Sequence, residues 1–189
     1  MWAARLKEGK LGKSTVSAAP TSATRTPFRG LVLGIDPSLR GTGLAVLNFL
    51  PPSKAKFVVS ETVVPGREAD LPSCLGAIAR AVANLIDTHS PDVVAVEETI
   101  YVQNFRTAQK LGAARGAAIG ESARRGIPVY EYPPLRIKQA VVGYGRASKE
   151  QVARQMSGLL GLGSSLPFDE ADAAAVALCH ALTLGRGPG

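Results

Sequence analysis

The sequence predicts an α/β domain: a mixed five-stranded sheet, made of a three-strand antiparallel meander plus two parallel strands, flanked by helices. Three observations predict it. Three strand-length apolar runs follow one another between residues 31 and 64, parted only by breaks rich in Pro, Gly and Ser. Two more short apolar runs, near residues 92 and 127, each follow a stretch of helical spacing. Beyond residue 133 every periodic stretch is helical.

Leu31 to Asp36 is an apolar run ending on a carboxylate, and reads as a buried strand. Pro37-Ser38-Leu39-Arg40-Gly41 is a turn, and Thr42 to Leu47 returns antiparallel. Pro51-Pro52-Ser53 breaks the chain before a third strand, Lys56 to Val64. Leu75, Ile78, Ala79, Val82, Leu85 and Ile86 give residues 71–87 one apolar helical face. Asp92 to Val96 is a buried strand that delivers Glu97. A long helix runs from about Asn104 to Arg125 and stops at Gly126. Ile127 to Glu131 is the fifth strand, and residues 134–142, 148–160 and 169–184 are helices. This order lacks the regular alternation of a doubly wound fold.

The ordered domain is expected over residues 30–184. Residues 1–29, rich in Ala, Ser, Thr and Lys without a hydrophobic period, read as a flexible basic arm, and 185–189 as a flexible tail. A transit peptide has a similar composition to the arm. Gly12-Lys13-Ser14 imitates the end of a P-loop, but Lys7 stands where that motif needs glycine and no strand precedes it.

Hydrophobic residues at 46% and charged ones at 20% place most of the chain among globular proteins. No apolar run approaches the ~18 residues of a membrane span, so no membrane partner is expected. Cys74 and Cys179 lie far apart in helical segments, which fits a reducing, cytoplasmic setting rather than a disulfide framework. The net charge of +7 is uneven. Residues 1–29 hold six basic residues and one acidic, while residues 103–155 hold ten basic and three acidic. A basic face beside clustered carboxylates suits an enzyme that grips a polyanion and cuts it; charges spread over a solvated surface are the plainer reading.

Gly112, Gly116 and Gly120 line one face of the long helix. Each destabilises a helix interior by ~1 kcal/mol relative to alanine. A closely approaching backbone is expected against them, either the sheet or a second subunit.

The chemistry concentrates in four acids. Asp36 ends the first strand and Glu97 the fourth, and ligands gather at the carboxyl ends of strands in α/β sheets. Asp169 and Asp172, three residues apart, share one face at a helix N-terminus. Each has an ordinary alternative: Asp169 as a helix cap, Asp36 as a turn residue. As a set they are the parts of a hard-cation site for Mg²⁺ or Mn²⁺, which prefer oxygen ligands and share them with phosphate. Asp169-Glu170-Ala171-Asp172 spells a helicase box, but no P-loop accompanies it.

LGIDPSLRGTGLAVL (33–47), VAVEETIYVQN (94–104), KLGAARGAA (110–118), YEYPPLRIKQAVVGYGRASKEQV (130–152) and DEADAAAVALCHA (169–181) resemble, in order, successive blocks of the RuvC family of Holliday-junction resolvases. The resemblance covers most of residues 31–182. It implies a ribonuclease H-like fold and a homodimeric crossover junction endodeoxyribonuclease of DNA recombination and repair. Such an enzyme makes paired symmetric nicks in four-way junction DNA through metal-activated water, with two Mg²⁺ or Mn²⁺ ions per site and a branch-migration helicase complex as partner. By position, the catalytic and metal-holding carboxylates are Asp36, Glu97, Asp169 and Asp172. Lys138 and Lys149 match lysines near the bound strand, suited to phosphate contact or charge stabilisation, and Lys138 joins the catalytic set. Arg106, Lys110 and Arg146 are further DNA-contact candidates. One departure is visible: Ile100 falls where the family often carries an aromatic residue, with Tyr101 beside it and Phe105 further on. Tyr101 has the ring to stack on an unpaired base or to pack into the protein.

Three other functions share these features. A non-catalytic scaffold would need only the basic stretch, a ribonuclease H would use the same metal chemistry on an RNA–DNA hybrid, and an actin-like phosphotransferase would need a second GID-type half, for which the chain is too short.

Overall fold

A computed structural model describes residues 27–50, 54–99 and 104–184. The elements run β1 (Gly30–Asp36), β2 (Thr42–Leu50), β3 (Lys54–Val63), α1 (Leu71–His89), β4 (Val93–Glu97), α2 (Phe105–Arg124), β5 (Val129–Tyr132), α3 (Pro134–Val142), α4 (Lys149–Leu159) and α5 (Phe168–Leu184). The strands form one sheet in the order β3-β2-β1-β4-β5. β1–β2 and β2–β3 pair antiparallel, while β1–β4 and β4–β5 pair parallel. The predicted meander plus two parallel strands is therefore the observed sheet.

Side chains alternate across a strand, so each strand feeds two cores. Val32, Ala45, Leu47, Val93 and Ala95 point to the face covered by α3, α4 and α5. Leu33, Ile35, Leu44, Val46, Val94 and Val96 point to the face covered by α1 and α2. At about 25 cal/mol per Å², full burial of each Val, Leu or Ile among these side chains stabilises by roughly 1.5–3 kcal/mol. Helix ends are specified locally. Asp70 accepts from Ser73 N at 2.9 Å to start α1, Asn104 accepts from Arg106 N and Thr107 N to start α2, and Ser148 and Gln151 close a capping box on α4. Gly126, at φ +72°, follows the end of α2 as expected.

Several predicted boundaries move. β2 runs on past Leu47 to Leu50, because Asn48, Phe49 and Leu50 pair with Lys56, Ala55 and Lys54. Asp92 is not in β4; its carboxylate accepts from Leu31 N at 2.7 Å and holds the start of β1. β5 is Val129–Tyr132 rather than Ile127–Glu131, since its register with β4 runs from Val94↔Val129 to Glu97↔Tyr132. Phe28, assigned to the arm by composition, packs edge-on against Phe49 and His180. Residues 1–26, the Pro51-Pro52-Ser53 break and the tail lie outside the described residues.

The glycine face of α2 does not meet the sheet. A methyl group built on Gly112, Gly116 or Gly120 finds nothing within 4 Å, and all three are exposed. Ala114, Ala118 and Ser122 are the residues α2 turns inward.

Candidate active site

Alternation along β1 places Asp36 on the same face as Val32 and Gly34, the α5 face. Alternation along β4 does the same for Glu97 after Val93 and Ala95. The strands are parallel neighbours with Ile35 opposite Val96, so Asp36 and Glu97 leave adjacent carboxyl ends side by side. α5 brings the other two acids by lying on bare backbone. A methyl group on Gly43 would stand 1.9 Å from the Asp169 carbonyl oxygen, and one on Gly34 would stand 2.0 Å from that of Ala173. Ala171 and Ala173 to Ala175 keep the helix underside equally thin. The far end is tied by His180, whose Nδ1 lies 2.8 Å from the Tyr132 hydroxyl of β5. Burial lowers the His180 pKa to about 4, so this ring is neutral at pH 7.

The four carboxylates, Lys138 and Lys149 line one cleft of about 410 Å³, together with Ser38, Glu98, Thr99, Leu111 and neighbouring apolar residues. Six of the predicted site residues thus converge. Arg106, Lys110 and Arg146 do not line the cleft and are exposed. Tyr101 lies outside the described residues; Phe105, beside Arg106, is 73% exposed.

The electrostatics are those of crowded anions. Burial, then the charge of Asp172, pushes Asp36 up to about 6. Burial, then Asp36 and Asp172, pushes Glu97 up to about 8. Asp172 is raised by burial, an effect offset in part by Lys149, whose Nζ lies 3.0 Å from Asp172 Oδ2. Burial opposes the charge of Lys149, but its bond to Asp172 and the surrounding acids outweigh burial and raise it. Burial is the largest cause for all three acids, with the repulsion of like charges added to it, so a cation brought among them would favour their ionised forms. Among the described residues, no group of three or more acidic, His or Cys side chains stands close enough together to hold a metal ion. An open, all-oxygen donor set of this kind fits Mg²⁺ or Mn²⁺, which take the rest of their shell from water and phosphate.

Sequence reasoning missed the supports. Thr42 Oγ1 accepts from Ser38 N at 3.1 Å and donates to the Ser38 carbonyl, shaping the turn after Asp36. Arg40 donates to the carbonyls of Gly66 and Ala69 at 2.7 and 2.9 Å and pins the connection before α1. Glu98 also lines the cleft, and its adjacency to Glu97 was the only signal of that in the sequence.

A sheet with acids at the ends of two adjacent parallel strands, faced by a helix carrying two more, places the chain in the class of ribonuclease H-like folds with a carboxylate-lined cleft. The family model described as crossover junction endodeoxyribonuclease RuvC matches residues 32–180. A protein of that description from Paraburkholderia phytofirmans is 45% identical over 150 residues, covering 79% of this chain and 82% of the relative. Another from Geotalea uraniireducens is 43% identical over 150 residues, covering 79% and 87%. The structure of Thermus thermophilus RuvC in complex with a Holliday junction substrate aligns with TM-score 0.78 and 36% identity, over 84% of this chain and 96% of that one. The yeast mitochondrial Holliday junction resolvase Ydc2, 16% identical with TM-score 0.56 over 82% and 77%, shares the fold. The chain belongs to the family of RuvC crossover junction endodeoxyribonucleases.

Proposed function

We propose that this protein is a Mg²⁺- or Mn²⁺-dependent endonuclease that resolves four-way DNA junctions in recombination and repair by paired symmetric nicks. The observation that carries it is the convergence of Asp36, Glu97, Asp169 and Asp172 with Lys138 and Lys149 in one cleft. Asp36, Glu97, Asp169 and Asp172 hold the cations, two per site. When bound, the ions supply activated water and screen the phosphate. The protein's own share is to fix the acids on rigid elements and to bring Lys138 and Lys149 to the phosphate. Arg106, Lys110 and Arg146 hold the flanking backbone, contacts that position without reading sequence. The experiment is a labelled junction incubated with EDTA and then with either metal: symmetric nicks are expected only after metal addition, and cutting in EDTA would contradict the reading.

The pH dependence follows from the raised acids. Both have folded pKa values above their ordinary ones, so their protonated forms stabilise the metal-free fold. That contribution is full below about pH 4 and is lost as pH rises through about 6 for Asp36 and about 8 for Glu97. Cation binding needs the ionised forms and releases protons. Thermal stabilisation by added Mg²⁺ should therefore grow from about pH 6 to about pH 9, measured as the shift in Tm on metal addition.

A homodimer suits a junction, because a C2 pair presents two equal sites to two equivalent strands. The exposed Gly112, Gly116 and Gly120 face supports α2 as the contact surface. Gly116→Arg should leave the monomer folded and shift light-scattering mass from dimer to monomer; an unchanged mass would remove α2 from the interface. A branch-migration helicase complex is the remaining proposed partner, and the cytoplasm the proposed location; among the described residues no helix is long and apolar enough to cross a membrane.

A further inference from the structure

Glu170 stands between the two site acids of α5 and faces away from them. Residues on a helix advance by about 100°, so Asp169 and Asp172 lie roughly 60° apart while Glu170 projects about 100° and 160° from them. Asp169 and Asp172 line the cleft, and Glu170 does not. It reaches across the sheet to β3 instead. Ser60 Oγ donates to its Oε2 at 2.5 Å and Thr62 Oγ1 donates to its Oε1 at 3.3 Å. Ser60 and Thr62 sit opposite Ala45 and Gly43, on the face that α5 covers.

The backbone contacts at this end of α5 act in a different direction. Gly34 and Gly43 let the helix press onto β1 and β2, which fixes its height above the sheet. Rotation about the helix axis is opposed from α4 by the Lys149–Asp172 ion pair and near the far end by the His180–Tyr132 bond. The two-pronged grip of Glu170 on two hydroxyls of β3 opposes it from the other edge of the helix, at the turn that carries both acids. The lever is sensitive: side chains project about 6 Å from a helix axis, so a turn of about 10° moves a carboxylate by about 1 Å. A misplacement of that size in a catalytic site is worth about a hundredfold in rate.

We propose that Glu170 is a positioning residue: by clasping Ser60 and Thr62 it sets the rotation of α5, and with it the placement of Asp169 and Asp172 relative to Asp36 and Glu97. This rests on the reading of those four acids as the cation-holding set. Its role is one of shape rather than charge. Glutamine has the same length, accepts through its carbonyl and donates through its amide to a hydroxyl oxygen. Glu170→Gln is therefore a conservative replacement, and Glu170→Ala is not.

The test uses the full chain and two readouts, Mn²⁺ binding by electron paramagnetic resonance of the free ion, without DNA, and junction cleavage. Glu170→Ala and the pair Ser60→Ala/Thr62→Ala should each weaken Mn²⁺ binding and lower turnover about tenfold to a hundredfold. Combining all three changes should do no further harm, because they remove one interaction. Glu170→Gln should restore both readouts to near the wild-type level, and junction affinity in Ca²⁺ should stay unchanged throughout. Wild-type Mn²⁺ binding in Glu170→Ala overturns the proposal, as does a Glu170→Gln protein as impaired as Glu170→Ala. Asp36→Asn is measured alongside. If it binds Mn²⁺ like the wild type, the cation site itself is misassigned; if it is impaired while Glu170→Ala is not, only the positioning role falls.

Discussion

Asp36→Asn is expected to abolish junction cleavage while leaving fold and junction binding intact. Asp36 leaves the centre of the sheet, flanked by β2 and β4, and points into the cleft beside Glu97. Asparagine keeps the shape and removes the charge. Losing one cation-holding carboxylate removes several kcal/mol of transition-state stabilisation; roughly 4 kcal/mol corresponds to about a thousandfold in rate. Stability should move the other way. Burial and the charge of Asp172 already disfavour ionised Asp36, which is why its pKa is pushed up to about 6. A neutral amide relieves that repulsion, so the metal-free variant should melt at or above the wild-type temperature at about pH 8. A variant that cuts normally would remove Asp36 from the site, and one that fails to fold would make its role structural.

Gly43→Ala is expected to damage both the fold and the chemistry. The added methyl would stand 1.9 Å from the Asp169 carbonyl oxygen and 2.5 Å from its carbonyl carbon. Both are backbone atoms, so no side chain can swing aside. Overpacking of this kind destabilises by about 1–3 kcal/mol, and a backbone clash belongs at the upper end. The helix that must retreat carries Asp169 and Asp172, and a shift of about 1 Å there should lower turnover about a hundredfold. Gly116→Ala is the contrast within one protein: its methyl meets open space, and in the monomer it should raise helix stability by about 1 kcal/mol. Urea unfolding and single-turnover cleavage separate the two. Equal stability for Gly43→Ala and wild type would contradict the close approach of α5.

Much of this was legible because the site hangs on strand ends and helix starts. Asp36 and Glu97 each close an apolar run, and Asp169 and Asp172 repeat at helical spacing. What the pattern could not give was registry. Asn48 interrupts the apolar run of β2, yet pairing with Lys56 carries the strand on to Leu50. Ile127 looked like the start of β5, but pairing with β4 begins only at Val129. Pairings between distant residues were also silent. Lys149 was read as a DNA-facing lysine, and nothing near it announced Asp172 as its partner. Glu170 was read only as a letter in a misleading helicase box. Its partners lie 110 and 108 residues away on β3. The glycines of α2 gave the opposite lesson. Their spacing raised the expectation of a close neighbour, and the exposed face shows that this chain's own sheet does not supply one.

Substrate choice separates a junction resolvase from its alternatives. A mobile four-way junction, a linear duplex and an RNA–DNA hybrid, each end-labelled, should be incubated with the protein in Mg²⁺ and in Mn²⁺. Paired symmetric nicks on the junction, with the duplex and hybrid left whole, are the expected result. Preferential cutting of the hybrid, or junction binding with no cutting in either metal, would contradict it.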